Sequence, residues 1–185
     1  MPHALLLWLL GAGAAAETPP TPRCLPAQDG FLAMRLRGSI ERDVRWAEPE
    51  LACTGMPRPD GRGLRIRFAG PLDGGELAVV IAAPELAPGA TGRGVPVNVT
   101  LIDGGGERIY GTQGDDRCQL DEVEQQPLGS EGQPARSYRI AGRGFCIAPA
   151  RALDGEGAVL LTRFDFAGIV TLEAEHESRP EVPAT

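Results

Sequence analysis

The stretch from Arg117 to Ile147 reads as a strand, a turn and a second strand: RCQLDEVEQ (117–125), QPLGSEGQP (126–134) and ARSYRIAGRGFCI (135–147). Cys118 lies near the start of the first strand pattern, and Cys146 lies near the end of the second. Their midpoint, Gly132, falls in a segment rich in Pro, Gly and Ser, which are typical turn residues. If the chain reverses direction there, the two sulfur atoms come close together. The stretch therefore predicts a β-hairpin closed by a Cys118–Cys146 disulfide.

The other two cysteines, Cys24 and Cys53, are centred on a second turn candidate, Gly38-Ser39. Four cysteines allow three pairings, and this spacing favours Cys24–Cys53 beside Cys118–Cys146. No two cysteines have the C-x-x-C spacing of a zinc site. On the chain-entropy model, closing loops of about 30 residues stabilises the fold by on the order of 3–4 kcal/mol each.

The N-terminal residues resemble an export signal. An apolar run, Ala4–Leu10, precedes small residues that end in Ala14–Ala16, which fits signal cleavage before Glu17. The run is shorter than the roughly 20 residues of a membrane span. The alternatives are a misassigned start codon and an uncleaved apolar tail. We expect a signal peptide at 1–16, a Pro-rich leader at 17–23, a single β domain at 24–172 and a flexible acidic tail at 173–185. Two disulfides behind an export signal predict a periplasmic or extracellular protein.

Alternating apolar and polar residues predict half-buried strands at 31–37, 40–46, 64–68 and 95–102. The longest strand pattern is Ala158–Leu172, where we expect Leu160, Phe164 and Phe166 to share one side and Gly168 to mark a bulge or a bend. Amphipathic helices of ten residues or more are absent from the pattern. Nine or ten short strands between Gly/Pro turns predict an all-β fold, an antiparallel β-sandwich of the jelly-roll kind. A β-barrel is the alternative.

Composition excludes several classes of function. All 18 basic residues are Arg, so lysine-dependent Schiff-base chemistry and a P-loop are excluded. This bias, with abundant Ala, Gly and Pro, indicates a GC-rich bacterial genome. The net charge is −7, and residues 71–185 carry nine Arg against eighteen acids, which argues against a nucleic-acid partner. No later apolar run is long enough to predict an integral span in the mature chain.

Nucleophilic catalysis lacks its residues. His176 is the single histidine after the predicted signal, and no serine lies in a G-x-S-x-G elbow.

The acidic loops around the hairpin offer a candidate calcium site, because calcium binds carboxylate and carbonyl oxygens. Its residues are Asp103, Asp115, Asp116 and Asp121. The alternative interpretation is solvated surface charge, and no other cofactor is expected.

Two further groups are binding candidates. Arginines at outward positions of two predicted strands would form a ladder for a carboxylate or phosphate if those strands were neighbours. They are Arg35, Arg37, Arg65 and Arg67. The alternative is that they pair with acids such as Glu41 and Asp43. Tyr110 is the remaining candidate for stacking on a sugar ring, since we expect Trp46 and Tyr138 to be buried.

Taken together, the sequence predicts an exported, disulfide-stabilised β-sandwich with a non-catalytic binding or interaction role. Its partner would be a protein or a glycan of unknown identity. The alternative is a calcium-dependent carbohydrate-binding domain or a glycan-active enzyme that uses the acidic loops.

Overall fold

A computed structural model describes residues 24–104, 107–129 and 136–172. These residues form eleven strands, all paired antiparallel, so the predicted all-β antiparallel fold is confirmed. The strands are β1 (Phe31–Gly38), β2 (Arg42–Ala47), β3 (Ala52–Pro57), β4 (Leu64–Leu72), β5 (Gly75–Ala83), β6 (Val95–Asp103), β7 (Arg108–Gly111), β8 (Cys118–Leu128), β9 (Ser137–Cys146), β10 (Ala150–Ala152) and β11 (Ala158–Thr171). The predicted signal peptide, leader, acidic tail and hairpin midpoint Gly132 lie outside the described residues.

The strands are hydrogen-bonded in the order β2-β1-β11-β10-β7-β6-β5-β4-β3. β8 and β9 connect β6 to β11 by a second path. β8 pairs with β6 and with β9, and β9 pairs with β11. The sheet folds over so that β3 and β4 pack on β11. At this contact the rings of Phe68 and Phe166 lie 5.5 Å apart at 56°. The result is a sandwich-like fold with its apolar core between two layers.

Two contacts join the layer that contains β1 and β2 to the layer that contains β3 and β4. Trp46 of β2 is buried over Gly70 of β4, and its Nε1 donates to the Pro71 carbonyl at 3.0 Å. The Cys24–Cys53 disulfide joins the segment before β1 to β3, with Cα atoms 4.7 Å apart. This bond therefore connects the two layers.

The second disulfide joins cross-strand partners. Cys118 of β8 lies directly opposite Cys146 of β9, with Cα atoms 3.9 Å apart. The pairing of β8 with β9 continues as far as Leu128 and Ser137, with one extra residue, Asp121, on β8. Both predicted disulfides and the predicted hairpin are confirmed.

The inward faces follow the predicted alternation in β1, β4 and β6, but not throughout β11. The register between β1 and β11 shifts because Thr162 is an extra residue, so Leu161 is buried and Leu160 is only half-buried. The prediction for Leu160 was wrong. The bulge lies at Thr162 rather than at Gly168, which continues the regular register opposite Ile140. Gly168 is instead needed for close packing, since a Cβ there would lie 3.0 Å from the Phe68 ring.

None of the helices in the described ranges is long and apolar enough to cross a membrane.

Candidate functional site

The four arginines predicted to form a ladder do not come together. Two lie on β1 and two on β4, and five strands separate β1 from β4 in the sheet order. Asp43 forms ion pairs with Arg37 at 2.8 Å and with Arg35 at 3.6 Å. Arg67 pairs with Glu76 at 2.9 Å, and Arg65 donates to the sulfur of Met56. The condition for a four-arginine ladder is therefore not met.

A different cluster forms on the outer face of β2, β1 and β11. A groove of about 430 Å³ lies there. We call it the arginine groove, and its lining residues are Ala33, Met34, Arg35, Asp43, Val44, Arg45, Arg163 and Asp165. Ala33 of β1 lies between its two cross-strand partners, Arg45 on β2 and Asp165 on β11. Its short side chain between two long ones leaves the floor of the groove open.

Two of the arginines that line this groove are cross-strand partners. Arg35 of β1 lies directly opposite Arg163 of β11. Like charges opposite each other in a sheet are unfavourable, so this pairing costs stability unless an anion lies nearby. The bulge at Thr162 adjoins the pair, and bulges commonly redirect a side chain beside a binding site. The local register therefore concentrates positive charge on this face.

The acids within the groove neutralise it only in part. Asp165 accepts two hydrogen bonds from Arg163, at 2.9 and 3.4 Å, and this contact raises the pKa of Arg163 above its ordinary value. Asp43 forms ion pairs with both Arg35 and Arg37. No ion pair joins Arg45 to another of the described residues. The groove thus presents three guanidinium groups and two carboxylates. Such a surface suits a carboxylate or a phosphate, which arginine binds through two parallel hydrogen bonds.

The acidic candidates for calcium lie apart. Asp103 ends β6 and pairs with Arg108 at 2.8 Å. Asp115 and Asp116 lie beside Gly94 and Pro96, at the opposite end of β6. Asp121 is the extra residue of β8 and accepts from Gln119. Within the described ranges, no three His, Cys, Asp or Glu side chains form a group that could hold a metal ion.

The loop that carries Asp115 and Asp116 is held by its own polar contacts. Thr112 is buried; its hydroxyl accepts from the Val99 amide at 3.1 Å and donates to the Gly114 carbonyl at 3.2 Å. The Gly114 amide in turn donates to the Asn98 side chain at 3.0 Å. These bonds keep the loop against β6. The adjoining pocket is small, about 120 Å³.

Tyr110 does not form a stacking platform. Its side chain is 1% exposed and belongs to the apolar core, so the prediction that it contacts a sugar was wrong. Tyr110 lies in a strand of four residues between half-buried Ile109 and buried Gly111, and so short a pattern does not show which side is covered. Trp46 is buried, as expected, whereas Tyr138 is half-buried beside Gly89.

Comparisons of the chain with protein-family models, with curated proteins and with solved structures find no match. The site is therefore interpreted from its own geometry.

Sequence reasoning named Arg35 but missed Arg45 and Arg163 as members of one site. The alternation in β11 places Arg163 and Asp165 outward, and this signal was visible in the sequence. The missing information was the neighbour of β1, because β1 and β11 are far apart along the chain and no local pattern pairs them.

Proposed function

We propose that this protein is an exported binding module whose ligand carries a carboxylate or phosphate group, held in the arginine groove. The observation that carries the proposal is the Arg35–Arg163 pair, two like charges opposite each other beside a groove of about 430 Å³. Asp43 and Asp165 each contact one of the two arginines, and a ligand anion that bridges them would add hydrogen bonds to the remaining N–H groups.

The surrounding acids give the groove its geometry. Asp165 holds the guanidinium of Arg163 at its Nε edge, which leaves other N–H groups of the fork for a ligand. Asp43 divides its contacts between Arg35 and Arg37, so Arg35 is held only loosely. Arg45 adds a third positive charge at the other side of Ala33. A bound anion would therefore contact arginines from three adjacent strands.

The chemistry of the groove supports binding rather than catalysis. Guanidinium groups stay protonated at all ordinary pH values and so cannot exchange protons with a substrate. The Arg163–Asp165 contact strengthens this property, because it raises the pKa of Arg163 further. Arginine and carboxylate side chains arranged in this way recognise the charge and the shape of a ligand.

The two disulfides support the cellular context. Structural disulfides form and persist in oxidising compartments, and both described here join cysteines that are buried in the fold. A periplasmic or extracellular location is therefore part of the proposal, together with a bacterial origin.

The test is a titration of the oxidised protein with glucuronate, with succinate and with inorganic phosphate, followed by backbone amide NMR. We expect shifts centred on Ala33, Arg35 and Arg163 that weaken as salt is added. Arg163→Gln and Arg35→Gln should each lower the affinity by at least tenfold. The matched control is Arg151→Gln, an exposed arginine of β10 outside the groove. Equal affinity in all four proteins, or no shifts with any of the three anions, would refute the proposal.

A further inference from the structure

β2 ends the strand order, and its pairing with β1 determines which of its backbone groups point outward. The Glu48 amide donates to the Gly30 carbonyl, and the Gly30 amide donates to the Glu48 carboxylate. The first bond places residues 30 and 48 at a hydrogen-bonding position in the register of β1 and β2. Hydrogen-bonded and non-hydrogen-bonded pairs alternate in an antiparallel ladder. Arg42, Val44 and Trp46 therefore bond to β1, and the amide and carbonyl groups of Asp43 and Arg45 point away from the sheet.

No backbone hydrogen bond joins these outward groups to another described residue. An edge strand with unpaired backbone groups is a template for a further strand. Charged side chains usually block such an edge, and β2 carries Asp43 and Arg45 at the positions that would face an added strand. Their order along β2 decides which partner fits.

We propose that β2 pairs antiparallel with β2 of a second copy of this chain, about a two-fold axis at Val44. In this register Asp43 of each copy lies opposite Arg45 of the other. Both residues have outward backbone groups, so each of the two pairs can exchange two N–H···O bonds. Opposite charges are then aligned twice on the outer face, and such pairs stabilise a sheet.

Other registers are less favourable. An axis at Arg45 would place two Arg45 side chains opposite each other, and an axis at Asp43 would do the same with two carboxylates. A shift by one residue would bring the outward backbone groups of one copy opposite groups of the other copy that are already bonded to β1. It would also turn the outer side chains of one copy to the inner face of the other. The axis at Val44 is thus the register in which both backbone and charge are complementary.

The dimer would also give Arg45 an acidic partner that none of the other described residues supplies, since Asp43 of the second copy would lie opposite it. The two outer faces would become continuous across the axis, with one arginine groove on each side. The interface depends on backbone groups and on the Asp43–Arg45 pairs, so it stands whether or not the groove binds an anion.

Sedimentation velocity tests the interface, with the oxidised protein measured up to millimolar concentration. We expect a monomer–dimer equilibrium, and we expect Asp43→Arg and Arg45→Asp each to remain monomeric, since each aligns like charges. An equimolar mixture of these two variants should form a heterodimer, and the double exchange Asp43→Arg/Arg45→Asp should recover the homodimer. Thermal melts check that each variant is folded. Since Asp43 also contacts two arginines of β1, Arg45→Asp is the variant less exposed to misfolding.

The matched control is Glu124→Arg, an exposed acid of β8 away from the β2 edge, which should keep the dimer. Three results would overturn the inference: a monomer at every concentration, a dimer that persists in both single variants, or no association in the mixture. Arg163→Gln separates the two proposals, because it should lower the affinity for the anion by at least tenfold and leave the dimer intact.

Discussion

Phe166 of β11 lies directly opposite Gly142 of β9, and its ring occupies the space that a side chain at position 142 would need. Phe164 and Gly144 repeat the arrangement two residues away. Two stretches that are conspicuous in the sequence, GRGFC and RFDFAG, are therefore cross-strand partners. Each glycine lacks a side chain because an aromatic ring from the neighbouring strand covers it, as occurs where aromatic residues shield glycines in sheets.

Gly142→Ala should therefore destabilise the protein by about 1–3 kcal/mol, the usual cost of overpacking. The new Cβ would lie 2.9 Å from the Phe166 ring and 3.2 Å from the Glu122 carbonyl oxygen. Urea denaturation measures the loss. The matched control is Gly111→Ala, since Gly111 is buried in β7 but a Cβ there would meet nothing nearer than 3.6 Å. Equal midpoints for the two variants would contradict this account.

The local parts of this fold could be predicted from the sequence. The two-residue period of β1 and β4 determines which side chains face the core, because successive residues of a strand point to opposite faces. The cysteine spacing indicated both disulfides, although only Cys118–Cys146 closes a single hairpin, since Cys53 lies in β3, beyond the hairpin of β1 and β2. These features depend on residues that are close along the chain.

The candidate site depends on distant residues and could not be predicted in the same way. The Arg35–Arg163 pairing needs β1 beside β11, and its register needs the bulge at Thr162. A bulge shifts the alternation by one residue, which is why Leu160 was predicted to share a side with Phe164 and Phe166 in place of Leu161. Arg65 and Arg67 carry the same outward pattern as Arg35, yet β4 lies on the far side of the sheet order.

Gln125 should prove important for the long connection between β5 and β6. Its buried side chain accepts from the Gly89 amide at 3.0 Å and donates to the carbonyls of Ala87 and Ala90 at 2.9 and 2.8 Å. Gln125→Ala leaves three backbone groups without this partner, so we expect a loss of about 1–3 kcal/mol. Hydrogen exchange at Gly89 should also accelerate.

The exposed neighbour provides the control for that experiment. Gln126→Ala alters the same strand on its solvent side and should change the unfolding free energy by less than about 0.5 kcal/mol. Similar losses in both variants would mean that β8 tolerates neither change, and that the hydrogen bonds of Gln125 have no special part.

Asp60 gives the loop between β3 and β4 an acid-sensitive contact. Its carboxylate accepts from the Arg62 amide at 3.1 Å and from the Arg58 guanidinium at 2.8 Å. The Arg62 amide is the main cause that holds the pKa of Asp60 below its ordinary 3.8. A lowered pKa means that the contribution to stability is complete above 3.8 and is lost as the pH falls through the value in the folded protein.

An NMR titration of the Asp60 carboxyl carbon should therefore have its midpoint below 3.8. In Asp60→Asn this group no longer titrates, so the difference in stability from the unaltered protein should shrink as the pH is lowered. A midpoint at or above the ordinary value, or a difference that stays constant with pH, would show that the loop contacts do not favour the charged carboxylate.

Glu48 should be the most sensitive side chain in the turn between β2 and β3. Its carboxylate accepts three backbone hydrogen bonds, from Cys24 at 2.9 Å, Leu25 at 3.2 Å and Gly30 at 3.0 Å. Glu48→Gln removes the charge and replaces one acceptor oxygen by a donor that faces the same amides. Because hydrogen bonds to a charged group contribute about 1.5–3 kcal/mol, we expect a loss in that range by urea denaturation.

Glu50→Gln makes the same chemical change on the same turn, at an exposed residue, and should be nearly neutral. The Cys24–Cys53 bond stays intact in both variants, so a difference between them isolates the carboxylate from the disulfide. Amide exchange at Leu25 should accelerate in Glu48→Gln alone. If both variants unfold at the same urea concentration, the three hydrogen bonds add nothing to the stability of the protein. The disulfide by itself would then hold this segment against β11.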